Sequence, residues 1–262
     1  MNFFHYFAIY LLRPIRMIVL TALIIVGLVI VALAFPSLAQ TQRSWIVRHW
    51  TRAMLSILGI RLSIIGVPPV GMALIVANHV SWIDPFLLLA CFPVHFVAKA
   101  EIQHWPLLGW LVAKAGTVFI QRHRQRDLSR VAQIFVTHLH QGTAVGLFPE
   151  STTSDGTQLL PFKSALFEVA ISTAADCYPV ALRYDNVAAI WIEDMGLLAS
   201  IWRVMAQPHI AAKLILCPVI RFQGQRRREL ASASKAAIAN ALYPPVPHIQ
   251  PEKPDDLPAA VR

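Results

Sequence analysis

The chain has 262 residues, of which 56% are hydrophobic and only 14% are charged, against roughly 25% charged residues in an average soluble domain. This composition excludes an intrinsically disordered polymer, a collagen-like repeat and a long coiled coil, and it supplies enough apolar side chains for a packed core. The net charge of +9 favours partners that carry phosphate, and charge alone does not choose between nucleic acid, anionic lipid and phosphorylated cofactors. Cys91, Cys177 and Cys217 are too far apart in sequence for a disulfide framework or a Cys-x-x-Cys metal motif, which indicates a reducing compartment.

The first predicted element is an apolar helix over residues 17–35, which contain no charged side chain. At about 1.5 Å per residue this helix is roughly 28 Å long, close to the hydrocarbon thickness of a bilayer. We therefore predict an N-terminal membrane anchor over residues 1–39. Two alternatives stay open: a secretory signal peptide cleaved after Ser37-Leu38-Ala39, and a helix that enters one leaflet and turns back. Arginines on both sides of the run leave its orientation undecided.

Residues 45–66 predict a helix, either at the membrane interface or in the core of the domain. Short apolar runs then alternate with helical patterns, which predicts an α/β domain over residues 40–242, with a mostly parallel sheet flanked by helices. The predicted strands cover residues 73–77, 95–98, 117–120, 144–148 and 178–182. Six prolines in residues 243–262 predict a disordered tail.

The segment NHVSWID, from Asn78 to Asp84, follows the first predicted strand. Open α/β sheets bind their ligands at the carboxyl ends of the strands. Histidine is well suited to accept a proton near neutral pH, and a carboxylate bonded to its other nitrogen fixes the tautomer and stabilises the imidazolium. His79 and Asp84 are about 140° apart on a straight helix, so we expect a turn to bring them together. The alternative is that Asp84 caps the next helix and His79 lies in a loop.

Polar residues also follow two further predicted strands. Arg122 follows the third strand, and a guanidinium there can bind a phosphate through its planar fork. Glu150 follows the fourth strand and can orient a hydroxyl, while the adjacent Ser151, Thr152 and backbone N–H groups can bind oxyanions. Taken singly, these segments are equally consistent with a solvated basic loop and a plain turn.

Together the three motifs resemble those of the glycerolipid acyltransferases, in particular the 1-acylglycerol-3-phosphate acyltransferases. NHVSWID is similar to the Asn-His-x4-Asp block of that family, VFIQR and LFPEST are similar to its second and third blocks in the same order, and Tyr178-Pro179-Val180 is similar to the fourth. The resemblance implies the fold of this family, preceded by an N-terminal membrane helix, with His79 as the general base and Asp84 as its partner. The substrate-binding residues that it implies are Asn78, Arg122, Glu150, Ser151, Thr152 and Lys163.

The resemblance implies transfer of a fatty acyl group to the free hydroxyl of 1-acylglycerol-3-phosphate, giving phosphatidic acid. Acyl-CoA or acyl carrier protein would be the donor and co-substrate, with no cofactor and no metal ion. The expected partners are the lysolipid, the donor and the lipid bilayer, with no nucleic acid. The expected location is the bacterial inner membrane, with the catalytic domain on its cytoplasmic face.

Two positions depart from the third block of the family, which usually reads Phe-Pro-Glu-Gly-Thr followed by Arg or Lys. Ser151 replaces the glycine and Thr153 replaces the basic residue, and Lys163 can compensate for the missing cation. The stretch from TTSDG to LPFKSALF is similar to bacterial relatives that acylate lyso-ornithine lipid, so that acceptor, or another lysolipid, is the first alternative. A distant alternative is a membrane-anchored metal-dependent hydrolase that uses His79 and Asp84 as metal ligands.

Overall fold

The computed structural model describes residues 12–69, 71–121, 125–192 and 195–244, and a mixed sheet lies at its centre. The strands of the sheet are β1 (Ile60–Ile65), β2 (Leu74–Ala77), β3 (Val94–Lys99), β4 (Val118–Ile120), β5 (Ala144–Leu147), β6 (Cys177–Tyr184) and β7 (Ile210–Leu216). Their order across the sheet is β1-β7-β6-β2-β5-β3-β4. The pair β6–β7 is antiparallel, whereas the other five pairings in the described residues are parallel. The predicted α/β class with a mostly parallel sheet is therefore confirmed.

Helices cover both faces of this sheet. They are α1 (Arg13–Leu33), α2 (Gln40–Ile57), α3 (Asp84–Cys91), α4 (Leu108–Lys114), α5 (Gln125–His140), α6 (Glu168–Thr173), α7 (Leu197–Met205) and α8 (Arg227–Leu242). On one face, buried side chains of α1, α2, α3 and α7 form a core with the sheet. On the other face, buried side chains of α5, α6 and α8 form a second core. Both faces of the central strands are consequently buried, which is why those strands are continuous apolar runs in the sequence.

Helix α1 covers most of the apolar helix predicted over residues 17–35, but it starts four residues earlier and ends two residues earlier. Among the described residues it is the one helix long and apolar enough to cross a membrane, and 17% of its most apolar window is buried; a signal sequence passes the same test. Side-chain hydrogen bonds tie it to the rest of the chain. Arg16 donates hydrogen bonds to the carbonyl oxygens of Gln207 (2.6 Å) and Pro208 (2.7 Å), and the Trp50 indole donates to that of Leu23 (3.0 Å). The anchor itself and the boundaries of the three predicted segments remain predictions.

The prediction of one helix over residues 45–66 is wrong beyond Ile57. Gly59 turns the chain with a φ of 77°, a conformation that glycine adopts readily. The chain then forms β1, which pairs with β7. Strand β7 is also absent from the sequence prediction. It lies between β6 and the edge strand β1, and its pairing with β6 is antiparallel. The predicted tail lies outside the described residues, apart from Tyr243 and Pro244.

A stack of three rings connects the sheet to His79. The Phe148 ring lies 4.3 Å from the His79 ring and 5.5 Å from the Phe96 ring, between centroids. Gly146 makes room for the lower ring, because a Cβ at this position would lie 2.3 Å from Cε1 of Phe96. The lack of a side chain at Gly146 therefore determines how close the Phe96 ring, and the two rings stacked on it, can lie to the sheet.

Gly146→Ala should lower stability by about 1–3 kcal/mol, the usual cost of overpacking a core, because Phe96 and then Phe148 must move. The control is Gly196→Ala, where a Cβ would meet nothing within 4 Å. The measurement is the thermal unfolding midpoint of the two variants in the same detergent. Equal losses in both would contradict the proposed packing role of Gly146.

Candidate active site

The predicted contact between His79 and Asp84 is present. Nδ1 of His79 lies 2.8 Å from Oδ2 of Asp84, in the turn between β2 and the first residue of α3. The carboxylate side chain is 0% exposed and the imidazole side chain 16% exposed. The turn at the carboxyl end of β2 thus buries the carboxylate and leaves part of the ring accessible.

Asp84 accepts hydrogen bonds from four donors. Besides His79, the backbone N–H groups of Val80 (2.7 Å) and Ser81 (2.8 Å) donate to Oδ2, and the Tyr184 hydroxyl donates to Oδ1 (2.7 Å). A buried carboxylate needs such donors, because burial in a low-dielectric interior disfavours its charge. The charge of Asp84 is therefore compensated by its surroundings, and it orients the imidazole.

The network around Asp84 assigns the tautomer of His79. Oδ2 already accepts two backbone N–H bonds, so His79 carries its proton on Nδ1 and donates it to the same oxygen. The other ring nitrogen, Nε2, then has a lone pair that can accept a proton. The Phe148 ring stacks against the imidazole at an interplanar angle of 23° and limits its rotation. This geometry is that of an oriented general base.

Asn78 holds β6 against the end of β2. Its Nδ2 donates to the carbonyl oxygen of Leu182 (3.0 Å), and its Oδ1 accepts the N–H of the same residue (2.7 Å). The side chain of this residue, a predicted substrate contact, is therefore engaged with backbone, and the residue is 1% exposed. Strand β6 carries Tyr184 two residues further on, so Asn78 also fixes the distance between Tyr184 and Asp84.

Glu150 is 4% exposed and bonds to the backbone on both sides of the site. Its Oε1 accepts the N–H of His79 (2.7 Å), and its Oε2 accepts the N–H of Leu160 (2.9 Å). Burial raises the pKa of Glu150, and the two N–H donors oppose that rise. The carboxyl group thereby fixes the backbone of His79 and closes the loop from 150 to 160 against it.

Ser151 has a left-handed backbone with a φ of 65°, and its N–H donates to the carbonyl oxygen of Phe148 (3.0 Å). Thr152 and Thr153 follow, and all three residues are partly exposed. The loop returns to the strand end at Lys163, whose N–H donates to the carbonyl oxygen of Pro149 (2.9 Å) and whose side chain is exposed. Three of the predicted substrate contacts, Ser151, Thr152 and Lys163, are thus on one loop beside His79.

Arg122, the predicted phosphate ligand, lies outside the described residues. The neighbouring end of β4 is described, and Ile120 pairs with Lys99 at the end of β3. Lys99 is exposed and places a cation at the same edge of the sheet. In the described part of the chain, His, Cys, Asp and Glu side chains form no cluster of three or more that could hold a metal ion.

Tyr184 is the site residue that the sequence did not predict. Burial and the nearby charge of Asp84 raise the pKa of Tyr184 well above its ordinary value. The hydroxyl therefore stays protonated and donates a hydrogen bond to Asp84. The two residues are 100 positions apart, and no spacing pattern of strands or helices indicates such a pair. The apolar run that predicts β6 ends at Leu182, two residues before this tyrosine.

An acyltransferase family model matches residues 64–183. The 1-acyl-sn-glycerol-3-phosphate acyltransferase of Neisseria gonorrhoeae is 42% identical over 146 residues, which are 54% of this chain and 57% of that enzyme. The chain thus matches little more than half the length of that relative. The lyso-ornithine lipid O-acyltransferase of Pseudomonas aeruginosa is 35% identical over 206 residues, which are 77% of this chain and 80% of that enzyme.

The fold is that of a solved structure, the 1-acyl-sn-glycerophosphate acyltransferase of Thermotoga maritima. The TM-score is 0.61 at 19% identity, and the match covers 89% of this chain and 99% of that chain. The family predicted from the sequence motifs is confirmed by these matches. This chain belongs to the glycerolipid acyltransferase family that includes the 1-acylglycerol-3-phosphate acyltransferases.

Proposed function

We propose that the protein transfers a fatty acyl group from a thioester, acyl-CoA or acyl carrier protein, to the free hydroxyl of 1-acylglycerol-3-phosphate, giving phosphatidic acid. The observation that carries this proposal is the His79–Asp84 pair at the carboxyl end of β2, with Nδ1 of His79 held at 2.8 Å by a buried carboxylate. Its relatives in Neisseria and Pseudomonas are named for acyl transfer to lysolipids, which supports the same reaction here.

In this reaction Nε2 of His79 accepts the proton of the lysolipid hydroxyl as its oxygen attacks the thioester carbonyl. A carbon–oxygen bond forms, the carbon–sulfur bond breaks, and the departing thiolate takes the proton back from the imidazolium. Asp84 stabilises the imidazolium between these two transfers. No covalent acyl-enzyme is needed, because one oriented base serves both steps.

Cations at the edge of the sheet would bind the phosphate of the acceptor. Arg122 and Lys163 are the proposed ligands. Lys99, which is exposed at the end of β3, is a further candidate. The acceptor and product are amphiphiles, so the apolar helix α1 would hold the enzyme at the bilayer that contains both. We place the protein at the bacterial inner membrane with its catalytic domain on the cytoplasmic side, where the thioester donors are made.

A second acceptor, lyso-ornithine lipid, is favoured by the third motif. Ser151 and Thr153 stand where the phosphate-binding relatives usually have glycine and a basic residue, and this removes a cation from the loop. The Pseudomonas lyso-ornithine lipid enzyme also matches a larger share of this chain than the Neisseria enzyme does. Both acceptors use the same His79–Asp84 chemistry and differ in the head group that the loop contacts.

His79→Ala should nearly abolish turnover, because the variant lacks the imidazole that accepts the hydroxyl proton. Removal of a general base typically costs 10²–10⁴-fold in rate. The measurement is the yield of diacyl product by mass spectrometry on membranes that contain the wild type or the variant, at matched amounts of protein. Turnover close to the wild-type rate in the variant would contradict the mechanism.

Tyr184→Phe should lower kcat and leave KM nearly unchanged, because Asp84 loses one donor while the acceptor loop is untouched. A hydrogen bond to a charged group contributes about 1.5–3 kcal/mol. Its loss should make the Asp84 carboxylate more basic and change how strongly this carboxylate stabilises the imidazolium. The measurement is the pH profile of kcat, whose acidic limb should shift. A profile identical to the wild type would show that Tyr184 serves packing alone.

Thr153→Arg in a Ser151→Gly background should favour the phosphate-bearing acceptor. Glycine removes the cost of a left-handed non-glycine residue, roughly 1–2 kcal/mol, and arginine restores a cation to the loop. The measurement is the ratio of kcat/KM for lysophosphatidate to that for lyso-ornithine lipid, which should rise, with Ser151→Gly alone as the control. An unchanged ratio would show that position 153 does not face the head group.

A further inference from the structure

The geometry points to a docking surface for an acidic acyl carrier protein on β6, β7 and β1, at the part of the α8 side of the sheet where their side chains are exposed. Its central residues are Arg183, Lys213 and Arg61, here called the basic strand patch. This inference rests on the proposed function, because it names the partner that delivers the acyl group.

Side-chain alternation places the three cations on one face of the sheet. Leu182, Leu214 and Leu62 pack against the core on the side of α1 and α2. Side chains of neighbouring strand residues point to opposite faces, so Arg183, Lys213 and Arg61 point away from that side. All three are exposed.

Pairing brings the cations together. Arg183 stands directly opposite Lys213 in the antiparallel pair β6–β7, where Cβ atoms are about 4.5–5.5 Å apart. Arg61 pairs with Ala211, two residues before Lys213 on the neighbouring strand. Like charges directly opposite each other destabilise a sheet, so the fold keeps this pair at a cost in stability.

None of the three patch cations forms an ion pair within the described residues. Other arginines have acidic partners: Arg221 is 3.1 Å from Asp176, and Arg226 is 3.1 Å from Glu229. In the described part of the chain, none of the three patch cations has a carboxylate oxygen within 4.0 Å. Asp185 is close along the chain, but its Oδ1 accepts the backbone N–H of Ala211 (2.8 Å).

The patch is next to the catalytic residues along β6. Arg183 lies in the chain between Leu182, which is bonded to Asn78, and Tyr184, which is bonded to Asp84. It also lies within electrostatic reach of Tyr243. The pKa of Tyr243 is raised chiefly by burial, and the positive charge of Arg183 opposes that rise. The Tyr243 hydroxyl donates to the carbonyl oxygen of Gly156 (2.8 Å), so the patch borders the loop that follows Glu150.

The location and the shape of the basic strand patch favour a protein as its partner. Helix α1 packs on the other face of the sheet, so the patch faces away from the proposed anchor, as a water-soluble donor requires. Small anionic ligands bind in concave sites, whereas these cations lie on an open strand surface. The exposed Ile65 on the same face and the nearby Val67, 50% and 85% exposed, add the apolar contacts that protein interfaces use. An acidic protein that carries the acyl thioester fits this combination better than coenzyme A does.

The test compares two donors, palmitoyl-acyl carrier protein and palmitoyl-CoA, with lysophosphatidate as the acceptor. The variant is R183Q/K213Q, in which two patch charges are removed and the like-charge pair disappears. The control is R221Q/R228Q, which makes the same change in net charge near the start of α8 and should leave both donors unaffected. A thermal unfolding scan checks that both variants fold.

In R183Q/K213Q, kcat/KM with the carrier protein should fall roughly tenfold relative to kcat/KM with CoA, the lower end of electrostatic steering. Added salt should lower the wild-type value for the carrier protein and have less effect in the variant. The dissociation constant of fluorescently labelled acyl carrier protein should rise in parallel, and this readout does not depend on turnover.

Equal losses with both donors, or no loss with either, would overturn the inference. So would a wild type that uses only acyl-CoA, although acyl transfer itself would then stand. Failure of the proposed function has a different signature, the absence of His79-dependent product with both donors, and the binding measurement still decides whether the patch holds the carrier protein.

Discussion

The carboxylate of Asp84 is the group on which the site depends. It is fully buried, and a buried charge must be compensated by polar neighbours because transfer out of water is costly. Its four donors come from the turn after β2, the His79 ring and the end of β6. The hydrogen bonds to this one carboxylate therefore shape the turn, orient the imidazole and help to set the register of a distant strand.

Asn78 and Glu150 extend the same principle to the backbone around the site. Asn78 replaces a missing pair of ladder hydrogen bonds at the end of β2 by bonding both polar groups of Leu182. Glu150 bridges the N–H groups of His79 and Leu160. Because buried polar groups are costly when left without partners, these residues stabilise the strand ends as well as border the site.

Strands β2 to β6 could be predicted from the sequence, whereas β1 and β7, on one side of the sheet, could not. Strands buried on both faces are apolar throughout, so β2 and β5 are identified to within one residue. Strand β1 alternates Arg61 and Ser63 with apolar residues and directly follows a helix. Since only Gly59 interrupts the pattern, the sequence of the strand resembles a continuation of that amphipathic helix. Strand β7 carries the exposed Lys213 in its middle, so it lacks a continuous apolar signal.

The site divides in the same way. The pair His79–Asp84 is close in sequence, so one turn forms it and the spacing predicts it. Tyr184 reaches Asp84 only because Asn78 has already aligned β6 with β2, a consequence of strand pairing that no local pattern contains. The basic strand patch likewise exists only in the register of β1, β7 and β6.

Ser151 shows how the acceptor can change without a change in this framework. Its backbone is left-handed and its N–H is bonded to Phe148, so the loop has the shape that a glycine would adopt freely. The turn is therefore set by its hydrogen bonds and by Glu150, and the serine adds a hydroxyl at a fixed place. In the proposed reaction His79 and Asp84 carry the chemistry, and the side chains at 151 and 153 would set the head-group preference. On this proposal, one oriented imidazole would serve both a phosphate-bearing and a phosphate-free lysolipid.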